Sequence, residues 1–445
     1  MIDANFGGFC MKIWETAVSM AEQTPAERNR YVDFLRAVSI LVVIMGHWLI
    51  ATAWWVDGEL VTGHLIAAQP QLQWLTWIFQ VMPIFFIVGG YANAVSLESA
   101  DRKGTTYAQW LNTRINRLLT PLLVLMVAWA VISFGMQFMG VSDEVIQYLS
   151  RSALVPTWFL AIYTMVVILA PAAYRLWQKL GYGSIMLFIA LAAITDFLFF
   201  VPEIRWPAWA NYFWIWLAVH QLGYAWRDNK HGPVAIRIAT AVAGFTILYA
   251  LVTRGPYPLA MVGSPDEVSN SLPPKVTLIA LGLFQFGLLM SIEDPMRRVL
   301  SGVKTWAATV LINSMIMSIY LWHITVMLAI GGIMYALDGF GFGLEPGTAA
   351  WWQSRPLWIA VLWLGLIPVG LLMSPLERVK ASGARPAWRQ ILGAILMCLG
   401  IALLALWGFA GAPKAGFDIA AFACVVVGAL LAGLVTLPGR ANAYN

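Results

Sequence analysis

Charge is what this chain has least of. Only 11% of its 445 residues are charged, while 60% are hydrophobic; a soluble domain carries about a quarter charged residues. That shortage excludes an ordinary water-soluble fold. Cysteine is scarce as well: Cys10, Cys398 and Cys424 stand far apart, which leaves no disulfide framework and points to no cysteine nucleophile. Metal-ligand spacings are missing, with no His-x-x-x-His, no clustered carboxylates and no Cys near a His, so no metal is expected. Neither a P-loop nor a Gly-x-Ser-x-Gly elbow occurs in a suitable context. Internal repeats and low-complexity tracts are lacking too. Residues 1–30 show no apolar core or cleavage site of a signal peptide, so the first apolar span is expected to stay as an anchor.

What the chain does have is apolar blocks of about twenty residues, the length that crosses a bilayer as a helix. About twelve are expected, near 35–56, 75–96, 118–139, 157–177, 184–201, 208–226, 234–253, 275–292, 310–336, 356–376, 389–410 and 417–437. The fold class is therefore an all-α polytopic membrane protein. The 23 Trp and 14 Tyr suit aromatic belts at the two interfaces, as in Trp54-Trp55, Trp206/Trp209 and Trp351-Trp352. Lys and Arg gather on the side that holds the N-terminus, as in Arg28, Arg30, Arg36, Arg102, Lys103, Arg114 and Arg117. The other side holds Arg151, Arg205, Arg254, Lys275, Arg355 and Lys414. This bias predicts both termini in the cytosol and accounts for the net charge of +5 without any nucleic-acid partner. The loop from Arg254 to Pro274, with Asp266 and Glu267, reads as irregular structure. A cytosolic segment (1–30), a core (31–377) and two accessory helices with a short tail (378–445) complete the layout.

Within this apolar frame one stretch stands out, Asp33 to Trp48, DFLRAVSILVVIMGHW. On a helix Arg36 and His47 are about three turns and roughly 16 Å apart on one face, with Asp33 a turn before Arg36. An ionisable side chain at membrane depth is costly, and that makes His47 the first functional candidate; the bland alternative is a histidine satisfied by a backbone carbonyl. Other polar groups at depth are Asp196, His220, Asn313, Ser314, Ser318, Tyr320 and His323. His220, beside Gln221, reads as structural, and Asp196 as a side chain reaching the headgroups. Ser314 alone carries little, because membrane serines bond back to their own helix. Arg114 and Arg117, one turn apart before Pro121, are either a positive-inside anchor or a site for phosphate groups, which suit the arginine fork.

Four blocks in order resemble the acyltransferase family 3 of membrane proteins. They are Asp33-Phe34-Leu35-Arg36-Ala37 followed by His47; Arg114-Ile115-Asn116-Arg117-Leu118 with Pro121; Pro156-Thr157-Trp158-Phe159-Leu160 with Tyr163; and Ser318-Ile319-Tyr320-Leu321-Trp322-His323. The resemblance covers about residues 28–377. It implies transfer of a short acyl group, most often acetyl, from cytosolic acyl-CoA (acetyl-CoA) as co-substrate to a hydroxyl of a sugar, polysaccharide or glycolipid, in a bacterial inner membrane and among membrane lipids. It further implies His47 and Arg36 as catalytic residues, Arg114 and Arg117 at the coenzyme A phosphates, and Asp33, Trp158, Ser318, Tyr320 and His323 in support. The chain departs from the family's usual ten spans in its last two helices. It also has no acidic residue close after the Trp-Phe-Leu block, where some members carry one. Some members append an extracellular hydrolase-like domain; none is expected here, so a partner for onward transfer would be a separate protein. The competing expectation is a twelve-helix secondary transporter that relays protons through buried His and Asp.

Overall fold

The computed structural model describes residues 2–25, 27–263, 268–377, 383–410 and 417–435. It is 78% helical with almost no sheet, an all-α polytopic architecture. Helix α1 (Ile2–Glu22) precedes α2 (Arg30–Ile50), which runs directly into strands β1 (Ala51–Val56) and β2 (Glu59–His64). Then come α3 (Met82–Arg102), α4 (Tyr107–Phe138), α5 (Asp143–Leu154), α6 (Thr157–Leu180), α7 (Tyr182–Phe200), α8 (Asn211–Arg227) and α9 (Val234–Arg254). The rest are α10 (Thr277–Ser291), α11 (Glu293–Val299), α12 (Val303–Ala336), α13 (Ala349–Glu377), α14 (Ala387–Trp407) and α15 (Phe417–Ala432).

A helix stands at each of the twelve expected spans. Among the described residues, however, nine are long and apolar enough to cross a membrane, or ten if the bent pair α10–α11 makes one span. Three of the twelve fall short of the roughly 20 residues a span needs: α8 has 17, α15 has 16, and α10 has 15 unless α11 extends it. The first span also ends early, at Ile50 rather than 56. The reason is local. Asp57 and Gly58 take positive φ (50° and 87°), the conformation of a two-residue hairpin turn, and the β-branched and aromatic residues before them pair as β1 with β2. Span three starts well before 118, because Thr106 and Gln109 form a capping box that opens α4 at Tyr107. Residues 1–30 contain α1, whose Ala17 and Ala21 pack on Trp306 and Ala307. The expectations for Asp266, Glu267, Lys414 and the tail after residue 435 lie outside the described residues.

Two compact units divide the chain, and α2 and α12 each contribute to both. The first unit takes Met1–Gly46, Gln69–Val95 and Ala172–Ile316. Its centre is a close crossing of α3 and α8. A Cβ on Gly90 would lie 1.9 Å from the His220 carbonyl oxygen, and one on Gly223 2.0 Å from that of Ile87. No side chain fits there, so small residues let the backbones touch, as membrane helices favour. Phe86 stacks on Trp216 at 4.3 Å between ring centroids. The Tyr31 hydroxyl ties α2 to α10 by donating to the Leu289 carbonyl (2.9 Å).

The second unit takes His47–Ala68, Ser96–Pro171 and Met317–Asn445. In it Trp129 Nε1 of α4 donates to Thr325 Oγ1 of α12 (3.0 Å). Helices α14 and α15 pack through glycine: a Cβ on Gly393 would meet the Ala432 nitrogen at 2.4 Å. Gln390 Nε2 holds that pair to α4 by donating to the Ala108 carbonyl (3.0 Å). The β-hairpin is held at two points. The Trp55 N–H donates to the Phe342 carbonyl (3.0 Å), and the Tyr148 hydroxyl to Thr62 Oγ1 (3.0 Å).

The α3–α8 crossing gives a direct test. Gly223→Ala forces the two backbones apart and lowers stability by about 1–3 kcal/mol. Gly135→Ala, with nothing within 4 Å of the added Cβ, leaves stability unchanged or raises it by up to about 1 kcal/mol. Thermal unfolding of the two variants in detergent checks both.

Candidate functional site

In the second unit α2 ends beside α12, and a chain of hydrogen bonds joins them. His323 Nδ1 lies 2.5 Å from the Tyr320 carbonyl oxygen, one turn back on its own helix. A carbonyl only accepts, so His323 carries its proton on Nδ1 and presents a bare Nε2. That Nε2 is 2.7 Å from His47 Nδ1, with the two rings within 4° of coplanar. His47 Nδ1 must therefore be the donor, and the neutral His47 ring is left with its lone pair on Nε2. Burial matches this division. His323 is fully buried, whereas His47 is only partly so. Trp48, also fully buried, donates from Nε1 to the His323 carbonyl (3.2 Å) and packs edge-on against Trp363 at 5.1 Å. An imidazole whose Nδ1 is fixed and whose Nε2 is an acceptor can take a proton or act as a nucleophile.

The remaining residues of the last two sequence blocks frame this pair. The Tyr320 hydroxyl donates to the Pro156 carbonyl (2.7 Å), and the Tyr320 ring meets Phe159 edge-on at 6.0 Å. Phe159 stacks in turn on Tyr163 at 5.7 Å, and Trp158 is half-buried against Phe159. The Trp-Phe-Leu block thus packs on the Ser-x-Tyr-Leu-x-His block. Ser318 points to a different partner. Its hydroxyl donates to Glu377 Oε2 (2.5 Å), and Trp322 Nε1 donates to Glu377 Oε1 (3.2 Å).

In the first unit the same two helices supply an ionic group. Asp33 is buried and accepts from Arg36 Nη2 through one oxygen and from Arg28 Nε (2.6 Å) through the other. Arg36 Nε donates to Asn313 Oδ1 (2.8 Å), and Asn313 Nδ2 returns a bond to the Asp33 carbonyl (3.0 Å). Arg36 and Asp33 are thus a positioned pair rather than loose headgroup ligands.

Other candidates fall elsewhere. Arg114 lies over the Trp110 ring, 5.8 Å from its centroid, and Arg117 is exposed one turn on. Neither bonds to the histidine pair. Ser314 is exposed and donates to its own helix at Leu311 (2.7 Å). His220 is fully buried with Nε2 accepting from Asn93 Nδ2 (3.1 Å). Asp196 does not reach the headgroups as expected. It is buried and accepts from Asn211 Nδ2 (2.8 Å), the Tyr257 hydroxyl (3.1 Å) and the Val276 N–H (2.9 Å), because neighbouring donors satisfy it where it stands. Among the described residues no group of three or more His, Cys, Asp or Glu is placed to hold a metal ion.

Sequence reasoning missed two residues. Glu377 sits at the last position of α13, where an acidic residue reads as an ordinary helix end. His64 closes β2, and its signal was legible: Asp57-Gly58 between alternating β-forming residues marks a hairpin.

A family model described as an acyltransferase domain, that of acyltransferase family 3, matches residues 29–374. No match was found among curated proteins or among solved structures.

The ionic group predicts unequal costs. Arg28→Gln removes a half-exposed pair (51% exposed) and costs under about 1 kcal/mol. Asp33→Ala removes the buried carboxylate that pairs with the more buried Arg36 and costs about 3 kcal/mol or more. Thermal midpoints measured side by side in one detergent check the ranking.

Proposed function

The chain belongs to acyltransferase family 3, and on that premise we propose that it moves a short acyl group, most simply acetyl, from cytosolic acyl-CoA to a hydroxyl of a sugar, polysaccharide or glycolipid. It is an integral membrane acyltransferase; donor, acceptor and residue roles are the proposal. The reading is carried by one observation, the hydrogen-bond chain that leaves His47 Nε2 as an acceptor on a ring locked by His323. In the reaction the acceptor hydroxyl gives its proton to His47 Nε2 as its oxygen attacks the thioester carbonyl. The carbon–sulfur bond breaks, and the proton passes from His47 to the departing thiolate. The products are an ester and free coenzyme A, and His47 is regenerated.

His323 acts as the orienting group. Its bond to Nδ1 fixes the His47 tautomer and shares the charge that forms when Nε2 takes a proton, much as a buried partner orients any catalytic imidazole. Arg36, braced by Asp33 and Asn313, is assigned to holding or orienting the donor. Arg114 and Arg117 are assigned to the coenzyme A phosphates, for which an arginine fork is suited. Trp158, Ser318 and Tyr320 support the histidine helix. A plasma membrane of bacterial type is the setting that gives this chemistry a cytosolic donor. Family membership leaves a carrier that relays protons without support.

The deciding experiment is acetyl-CoA turnover by purified protein in nanodiscs with sugars and lipid extracts as acceptors. Wild type releases coenzyme A and forms an ester; His47→Ala loses about 10²–10⁴-fold in rate while remaining folded. Retention of activity by His47→Ala overturns the base assignment. Arg114→Ala and Arg117→Ala raise the KM for acetyl-CoA with kcat little changed, as loss of ground-state binding requires. Labelled acetyl on His47 after mixing with acetyl-CoA alone would replace direct transfer by an acyl-histidine route.

A further inference from the structure

The hairpin after α2 places a third histidine next to the pair. α2 passes into β1 without a break, and Ala51, the first residue of β1, is paired in register with His64. Ala51 stands four residues beyond His47, the first residue past the end of α2. Cross-strand partners point to one face with their Cβ atoms about 5 Å apart. His64 is thereby held one strand across from the residue that follows the last turn of α2, the turn that carries His47. The hairpin cannot slide, because Thr62 is bonded by Tyr148 and Trp55 by Phe342. Set on the strand beside the end of α2, a charge on His64 would repel a charge on His47. His64 is also open to solvent, in contrast to His323.

We propose that His64 is a positioning residue for the acyl transfer, its charge state setting the pH range in which His47 is free to accept a proton. The inference rests on His47 being the base. Protein mass behind the exposed ring holds the His64 pKa below the ordinary histidine value, so His64 is neutral in the neutral range. There it leaves His47 able to accept a proton. As the pH falls and His64 gains charge, a proton on His47 becomes less favourable. Other titratable groups facing the hairpin are His323 behind His47 on α12, Tyr335 of α12 stacked on Trp55, and Tyr148 on α5. Asp57 and Glu59 lie at the far end of the ladder, where Val56 pairs with Glu59, roughly 17 Å away at strand spacing.

A fixed charge at position 64 tests this. The His47 imidazole is titrated by NMR in full-length histidine-labelled protein in nanodiscs, and the acid limb of acetyl-CoA turnover is followed in parallel. His64→Lys moves both down by about one unit and His64→Glu moves both up by about one unit. High salt shrinks the two shifts, as it does for any solvent-facing charge. A purely structural role for the hairpin moves neither with sign. His64→Gln, neutral and of similar size, keeps the test open if the charged variants fail to fold: its acid limb reports one proton where wild type reports two. Unshifted titrations and limbs in all three variants overturn the proposal. If His47→Ala is inactive and the limbs coincide, only the His64 role fails; if His47→Ala is active, the base reading itself fails.

Discussion

A polar side chain inside an apolar bundle has to find its partners within the protein, since lipid offers none. That constraint shapes the meeting of α2 and α12. His323 satisfies itself on the Tyr320 carbonyl, and this single bond decides every proton position further along. It leaves Nε2 of His323 to accept from His47, and it leaves Nε2 of His47 as an acceptor. Trp48 bonds the His323 carbonyl, and Tyr320 is held by Pro156 and Phe159, so the part of α12 that carries His323 is fixed where the two rings meet.

The same logic explains the first unit. Asp33, Arg36 and Asn313 close a cycle in which each member is both held and holding. Arg36 is held in one place by these bonds, so little of its side-chain freedom remains to be lost in any further contact. Asp196 shows the structural use of the same rule: three donors gather on one carboxylate and tie α8, the loop at Tyr257 and the start of α10 to α7. A buried charge is thus not by itself a mark of catalysis. What distinguishes His47 is partial exposure together with an acceptor left over after its structural bonds are counted.

Much of this is legible in the sequence, for identifiable reasons. Apolar blocks and the spacing from Arg36 to His47 are local properties of a helix, so the order of residues is enough to reveal the elements that carry the site. The meeting of His323 with His47 is not local: the two are 276 residues apart, and no periodicity encodes their pairing. Glu377 is invisible for the same reason, since its value lies in reaching Ser318 and Trp322. Span one ends earlier than its hydropathy implies because apolar Ala51–Val56 continues the helical run in composition, while Asp57-Gly58 turns it into a strand. Helices α8 and α15 are shorter than their apolar blocks because hydropathy blurs where a short helix stops.

The proton arrangement on the histidine pair is the claim on which the rest stands, and it is measurable without knowing the acceptor. Nitrogen-15 NMR of histidine-labelled protein, with five histidines in the chain and His47 assigned by its loss in His47→Ala, reports which ring nitrogen bears the proton. The account predicts His47 protonated at Nδ1 and bare at Nε2 near neutral pH. A His47 protonated at Nε2, with a bare Nδ1, would contradict it and remove the base from the proposed reaction.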